Sequence, residues 1–538
     1  MICCDDSVVA FQRLVCEEAK TVFEGAKGWR GEKLLLGLGR GLGLALLLLA
    51  VAALGGLRTE RIRAEETIWV DAGNREAWPI LHETAALASS PSAGPPTAHG
   101  EVAATDTLTY CVYLPVVMRS HHQPPEVRAL WVRRYDWTGF GYTPSPEDIR
   151  AIVEKAAYAN FNVILFQVRG VADAYYRSSY EPWAARLTGT VTETLGQDPG
   201  WDPLAVAVAL AHEAGLELHA WVNVYPAWWG ESPPPSTTPE HMYNLFSALY
   251  DNEWVQWHED EGPMGLGEYY LWASPGHPAV LEHILRVCGD IVGRYDVDGL
   301  HLDNVRYAGP WYSHDPVSEA RFQEDKSVNP DLTWEDWQRS QVTYLVARLY
   351  DEVVSSKPGL KLTAAVWPIY QDRWGWITYD GYSGYYQDSH GWVRLGKVDA
   401  IAPMLYTRTI KDHPERFETL VRDFAAQVGG HHIYAGITAD YESFDQIWER
   451  IELARQAGVG QAIFSYSFIE QRDYWDEFRQ GPYAAPTPSK VKVQGSSEVR
   501  CTLGLRSKRG VSPQYPLSLS PVWGIGPSAS LSSGEKRD

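Results

Sequence analysis

From residue 125 to about 480 the chain repeats one pattern, a short apolar run followed by an amphipathic stretch with a polar start. The apolar runs fall at 127–133, 162–168, 216–223, 299–303, 361–367, 400–406, 432–438 and 461–467. Each has the length of a strand, and their nearly continuous apolar character fits a parallel sheet covered on both faces. The stretches between them read as helices. Ser145-Pro146-Glu147-Asp148 predicts a helix start, with a cap residue, proline at the first helical position and two acids in the first turn. Asp202, before Pro203, caps the next. Further helices are predicted over about 277–294, 340–356, 412–428 and 443–457. Eight strands alternating with helices predict an α/β chain folded as a (β/α)8 TIM barrel. An open doubly wound sheet is the competing arrangement, but no glycine-rich phosphate loop follows any strand.

Both ends depart from this pattern. Residues 41–57 form an unbroken run of apolar and glycine residues behind Arg30, Lys33 and Arg40. That layout makes 1–57 a leader, either a signal peptide or an uncleaved signal anchor, and both put the rest of the chain outside the cytoplasm. A buried core helix is a third reading. Residues 58–124 read as a Pro/Ser/Ala-rich linker, within which 110–118 forms an isolated β-like run. Residues 481–538 read as a low-complexity tail, which leaves 125–480 for the barrel.

The net charge of −21 argues against nucleic acid or an anionic membrane surface as partner, so membrane contact is expected only through the leader. Six cysteines lie scattered, with no zinc spacing and no disulfide framework. No cofactor or metal motif is present in the sequence: HExxH, H-x-H and a serine elbow are all missing. The 23 Trp and 30 Tyr change the picture more. Many fall in loops, as in Trp228-Trp229, Trp311-Tyr312, Trp374-Gly375-Trp376 and Tyr385-Tyr386, and such rings suit the C–H faces of sugars.

Catalytic groups in a (β/α)8 barrel lie at the C-terminal ends of the strands. Alternation along each strand puts Gln167 with Arg169 on one face, and His219 with Trp221 and Asn223. The fourth strand carries His301 and Asp303, with Arg306 and Tyr307 just beyond; later strands end at Trp367, at Met404 and Tyr406, at Thr438 and Asp440, and at Ser465 and Ser467. A polar stripe on such an apolar strand is costly unless it lines a site or is fully hydrogen-bonded. Asp303 is the leading catalytic carboxylate, and pairing with Arg306 is expected to keep it ionised. His301 reads more readily as a satisfied core residue.

At these residues the chain resembles the glycosyl-hydrolase-like family 10 domain, an exported bacterial (β/α)8 family distinct from the family 10 xylanases. The resemblance rests on Glu126-Val-Arg-Ala-Leu-Trp-Val, Gln167-Val-Arg169 with Asp173-Ala-Tyr-Tyr, His219-Ala-Trp-Val-Asn223, Asp298-Gly-Leu-His-Leu-Asp-Asn-Val-Arg-Tyr307 and Val398-Asp-Ala-Ile-Ala-Pro-Met-Leu-Tyr406. It covers roughly 125–470 and implies a glycoside hydrolase of the cell envelope; some relatives act on peptidoglycan strands stripped of stem peptides. The matching positions here are Asp303, Arg306, Tyr307, Gln167, Arg169, His219, Asn223 and Tyr406. The chain departs from the family pattern at Gly170, at Val224 and Pro226 on either side of Tyr225, and at Ala308, all in loops expected to touch substrate.

The expectation is therefore a glycoside hydrolase acting on a polysaccharide or oligosaccharide by two carboxyl groups. Asp303 is one; Asp440 is favoured as the other over Asp173, Glu261 and Glu268. Gln167, Arg169, His219, Asn223, Arg306, Tyr307, Trp367 and Tyr406 are the expected substrate-binding residues. A non-catalytic glycan-binding scaffold is the alternative, and a metal-dependent deacetylase a more distant one.

Overall fold

The computed structural model describes residues 125–267 and 269–487. The leader, the linker with its 110–118 run, Glu268 and the chain beyond 487 lie outside these residues. All eight expected strands form, as β1 (Arg128–Val132), β2 (Val163–Arg169), β3 (Glu217–Asn223), β4 (Gly299–Asp303), β5 (Lys361–Val366), β6 (Ala400–Pro403), β7 (Tyr434–Thr438) and β8 (Gly460–Phe464). They make one parallel sheet in the order β6-β5-β4-β3-β2-β1-β8-β7. A parallel bridge between Ile401 and Ile433 joins the two edges, so the sheet is a nearly closed (β/α)8 barrel.

Alternation sorts the side chains into two cores. Ala129, Trp131, Val163, Leu165, Trp221, Ala365, Ala400, Ala402, Tyr434, Ala462 and Phe464 fill the barrel. Alanines on some strands leave room for the large rings of others, as interdigitated packing requires. The opposite faces, among them Leu130, Val132, Ile164, Phe166 and Leu300, pack under the helices in one continuous cluster.

Local chemistry starts the helices where the sequence indicates. Ser145 and Asp148 form a reciprocal capping box at helix Pro146–Tyr158, and Asp202 accepts from the Ala205 amide at helix Pro203–Glu213. Helices Pro278–Arg294, Trp334–Arg348, Pro414–Val428 and Phe444–Gln456 follow. The expected 340–356 helix starts six residues earlier at Trp334, capped by Thr333, and gives way after Arg348 to a π-helical turn over Leu349–Val353. The described chain continues past residue 480. Tyr483 is buried against Phe161 and Phe478 beneath the Arg128 guanidinium, and Ala485 accepts from Arg128. Among the described residues no helix is long and apolar enough to cross a membrane.

Candidate active site

The C-terminal mouth is built on a relay of amides. The Arg134 backbone N–H donates to Gln167 Oε1 at 3.0 Å, and Gln167 Nε2 donates to Asn223 Oδ1 at 3.1 Å. This stitches the ends of β1, β2 and β3 together. Beside Asn223, in register, stands Asp303 at the end of β4, where the Val224 N–H donates to the Asp303 carbonyl at 2.8 Å. Asn304 follows in the left-handed region, φ 52°, a conformation asparagine tolerates. That turn aims the Asn304 N–H at Asp303 Oδ1, 2.7 Å away.

Burial pushes the Asp303 carboxyl above the usual carboxylate range, and this outweighs the Asn304 N–H and the nearby Arg306 and Arg134 charges, which pull the other way. The Trp221 indole N–H, otherwise unpartnered, faces the same carboxyl without closing to hydrogen-bond geometry. The expected ion pair between Asp303 and Arg306 does not form. Arg306 is instead held by aromatic faces, its guanidinium 4.9 Å from the Trp272 ring centre, 5.2 Å from Trp367 and 4.8 Å from Tyr385. Its Nη1 donates to the Tyr307 carbonyl at 2.9 Å. Arg306 therefore acts on Asp303 through space, and Trp367 forms the wall of this cage.

Beneath the mouth His301 is a satisfied core residue. Its Nε2 accepts from Trp131 Nε1 at 3.0 Å and its Nδ1 donates to Thr363 Oγ1 at 2.9 Å, which fixes the neutral tautomer. Tyr406 stacks on Phe464 at 5.0 Å and meets Trp131 edge-on, completing the inner aromatic layer. Gln167, Asn223, Asp303, Arg306, Trp367 and Tyr406 thus gather at one end of the barrel.

Three expected substrate-binding side chains are withdrawn from it. A bulge shifts the pairing from Gln167 opposite Trp221 to Arg169 opposite Val222, so Arg169 faces the helices instead of the barrel. There it pairs with Glu181 at 2.7 Å, both side chains wholly buried, and donates to the Asn223 and Val224 carbonyls. His219 lies about 13 Å below Asn223 along β3, counting four residues of strand rise. Its ring abuts Gly299, and its Nε2 approaches Glu217 at 3.4 Å. Tyr307 is fully buried edge-on to Tyr386.

Asp440, the favoured second carboxylate, stands on the rim with its side chain 43% exposed, 3.3 Å from Lys411 and 3.4 Å from Arg472. Among the other acids considered, Asp173 is tied into a turn by the Gly170 and Val171 amides, and Glu261 is exposed in the hairpin of Trp257–His258 with Gly262–Pro263. Sequence reasoning missed Asp136, buried at the end of β1 and bound by Arg133 at 2.8 Å, whose carboxyl burial pushes up. The polar run Arg133-Arg134-Tyr135-Asp136 directly after β1 was its signal. Trp272, which cages Arg306 together with Tyr385, lies in a long loop with no periodicity to mark it.

Residues 126–443 match the family model described as glycosyl hydrolase-like 10. Glycosyl hydrolase YngK of Bacillus subtilis (strain 168) is 26% identical over 377 residues, covering 66% of this chain and 69% of that protein. Glycosyl hydrolase DigH of Escherichia coli (strain K12) is 29% identical over 316 residues, covering 54% of this chain and 67% of that protein. Among solved structures, the PgaB (BpsB) glycoside hydrolase domain from Bordetella bronchiseptica is similar with a TM-score of 0.48 and 16% identity, over 66% of this chain and 98% of that one. The family match takes in more than half of the 538 residues, and the chain belongs to the glycosyl hydrolase-like 10 family.

Proposed function

We propose that this protein hydrolyses glycosidic bonds in a cell-envelope polysaccharide, with Asp303 as the group that protonates the leaving oxygen. The observation that carries the reading is the Asp303 carboxyl at the C-terminal end of β4, raised by burial and flanked by Asn223 and the caged Arg306. A carboxyl raised in this way keeps its proton nearer neutral pH, as a general acid needs. Asp440, on the open rim, is the candidate to activate water or to attack the sugar, and its separation from Asp303 in the bound state sets inversion or retention. Asn223 and Gln167 supply amides for sugar hydroxyls, and Trp367 and Tyr406 supply ring faces. Peptidoglycan strands free of stem peptides are the first substrate class to test. An extracytoplasmic location follows from the apolar run 41–57 behind three basic residues.

The second reading is a glycan-binding scaffold on the same barrel. It draws on Asp440, whose charge is already engaged by Lys411 and Arg472. Reducing-end release from a glycan panel, with wild type beside Asp303→Asn, separates the two. A glycosidase loses turnover in the variant while keeping affinity; a scaffold releases nothing in either form and binds alike in both.

A further inference from the structure

The loops that hold Arg306 also carry exposed rings. Trp272 belongs to the loop after β3, Arg306 to the loop after β4, and Trp367 and Tyr385 to the loop after β5. The same three loops meet again at rings far more exposed than those of the cage. Trp311, after β4, is 5.2 Å from Tyr379, after β5, at 76°, and 6.1 Å from His258, after β3. Trp311 is 42% exposed and Tyr379 37%, so large apolar faces stand in water where the loops converge. Exposed aromatic surface that is gathered and held, rather than scattered, marks a binding surface.

The rings are held. The Glu259 N–H donates to the Trp311 carbonyl at 3.0 Å, and the Tyr386 hydroxyl donates to the Pro310 carbonyl at 2.6 Å. Asp315, wholly buried, accepts from Ser274 Oγ at 2.7 Å, Ser313 Oγ at 2.6 Å and Ser318 Oγ at 2.7 Å. Ser274 lies two residues past Trp272 and Ser313 two past Trp311, so one carboxylate locks the loop of the inner cage to the loop of the outer pair. A pair of rings on tethered loops, meeting at a steep angle, offers a sugar a preformed face at little ordering cost.

We propose that Trp311 and Tyr379 form a distal subsite that takes a sugar unit of the same glycan strand beyond those held at Asp303, so that longer strands bind better than short ones. This rests on the reading of the barrel as a glycan enzyme. The occupant is a glycan because the outer rings continue the loops that carry the inner cage. A protein partner is disfavoured because Trp311 and Tyr379 make a narrow two-ring contact.

The test uses the full chain carrying Asp303→Asn and stem-peptide-free peptidoglycan strands fractionated from disaccharide to octasaccharide. Affinity should rise with length, and adding Trp311→Ala or Tyr379→Ala should lower the octasaccharide-to-disaccharide affinity ratio by roughly tenfold, the effect of one anchoring aromatic. Trp448→Ala, an exposed ring on the outer helix Phe444–Gln456, should leave the ratio as it is. Far-UV circular dichroism and melting confirm that each variant is folded. An unchanged ratio in both ring variants, or an equal loss at every length, overturns the distal subsite and leaves the enzyme reading standing. No binding at any length, with no reducing-end release by the unsubstituted chain, overturns both.

Discussion

Arg169 Nη2 meets Glu181 Oε1 at 2.7 Å with both side chains wholly buried, and His283 Nε2 bonds the same carboxylate oxygen at 3.0 Å. The cluster fastens β2 to helix Pro278–Arg294 and, through the Asn223 and Val224 carbonyls, to the end of β3. It lies behind the site and sets the positions of Gln167 and Asn223 without touching substrate.

Removing one member of this cluster leaves a buried charge unpaired. Glu181→Gln is expected to cost about 3–5 kcal/mol in urea unfolding. The pH dependence has a defined sign. Burial pushes the Glu181 carboxyl up, while Arg169 and His283 together outweigh it and hold it at about 2. A depressed carboxyl stabilises the fold above its unfolded value and loses that contribution as pH falls toward the folded one. Stability should therefore decline from near pH 4.5 toward pH 2, and in Glu181→Gln that portion of the decline should vanish. Parallel acid titrations of both proteins would refute the assignment.

Arg169 marks the limit of what alternation along a strand reveals. Alternation alone put Gln167 and Arg169 on one face, and it holds for Trp131, Trp221, Asn223, His301 and Asp303. A bulge adds one residue to one strand and turns every later side chain over, and nothing in Gln-Val-Arg-Gly announces it. Glu181 lies in an irregular stretch with no period. His219 lies on the face that alternation predicts but in a lower layer, because alternation gives the side of a strand and not the layer. The strand order and the position of Asp303 were legible because short apolar runs separated by capped helices leave a parallel barrel few alternatives.

Asp303→Asn should separate activity from stability. Turnover is expected to fall about 10²–10⁴-fold, the usual contribution of a positioned general acid. The fold should gain. Because burial raises this carboxyl, its ionised form is penalised in the native state, a penalty absent below its unfolded value and fully present only above the folded one. The variant should melt higher than wild type at pH 7 and equal to it near pH 3. A lower melting temperature at pH 7 would mean that the carboxylate is a structural partner.

Gly299 is where β4 passes the His219 ring. A Cβ there would lie 2.7 Å from His219 Cγ and Nδ1, atoms close to the backbone and enclosed by the barrel. Gly299→Ala should lose about 1–3 kcal/mol by overpacking. Pairing it with His219→Ala should recover part of that loss, since two residues in contact do not add. Additive losses in urea unfolding would place the strain elsewhere.

Arg306 is the charge that most favours the ionised form of Asp303 across space, and it does so from a cage of Trp272, Trp367 and Tyr385. Without that charge, burial acts on the carboxyl less opposed and its pKa rises further. If Asp303 must be protonated to act, the alkaline limb of kcat against pH reports its loss of the proton. Arg306→Met should then move that limb to higher pH while weakening substrate binding. Arg306→Lys keeps the charge but not the flat guanidinium that the rings clasp, so it should keep the limb near its wild-type position and still raise KM. The pair of variants distinguishes the electrostatic role from the stacking role. A limb that stays fixed in Arg306→Met, or moves to lower pH, would show that the ionisation of Asp303 does not answer to Arg306, and the assignment of Asp303 as the acid would fall with it.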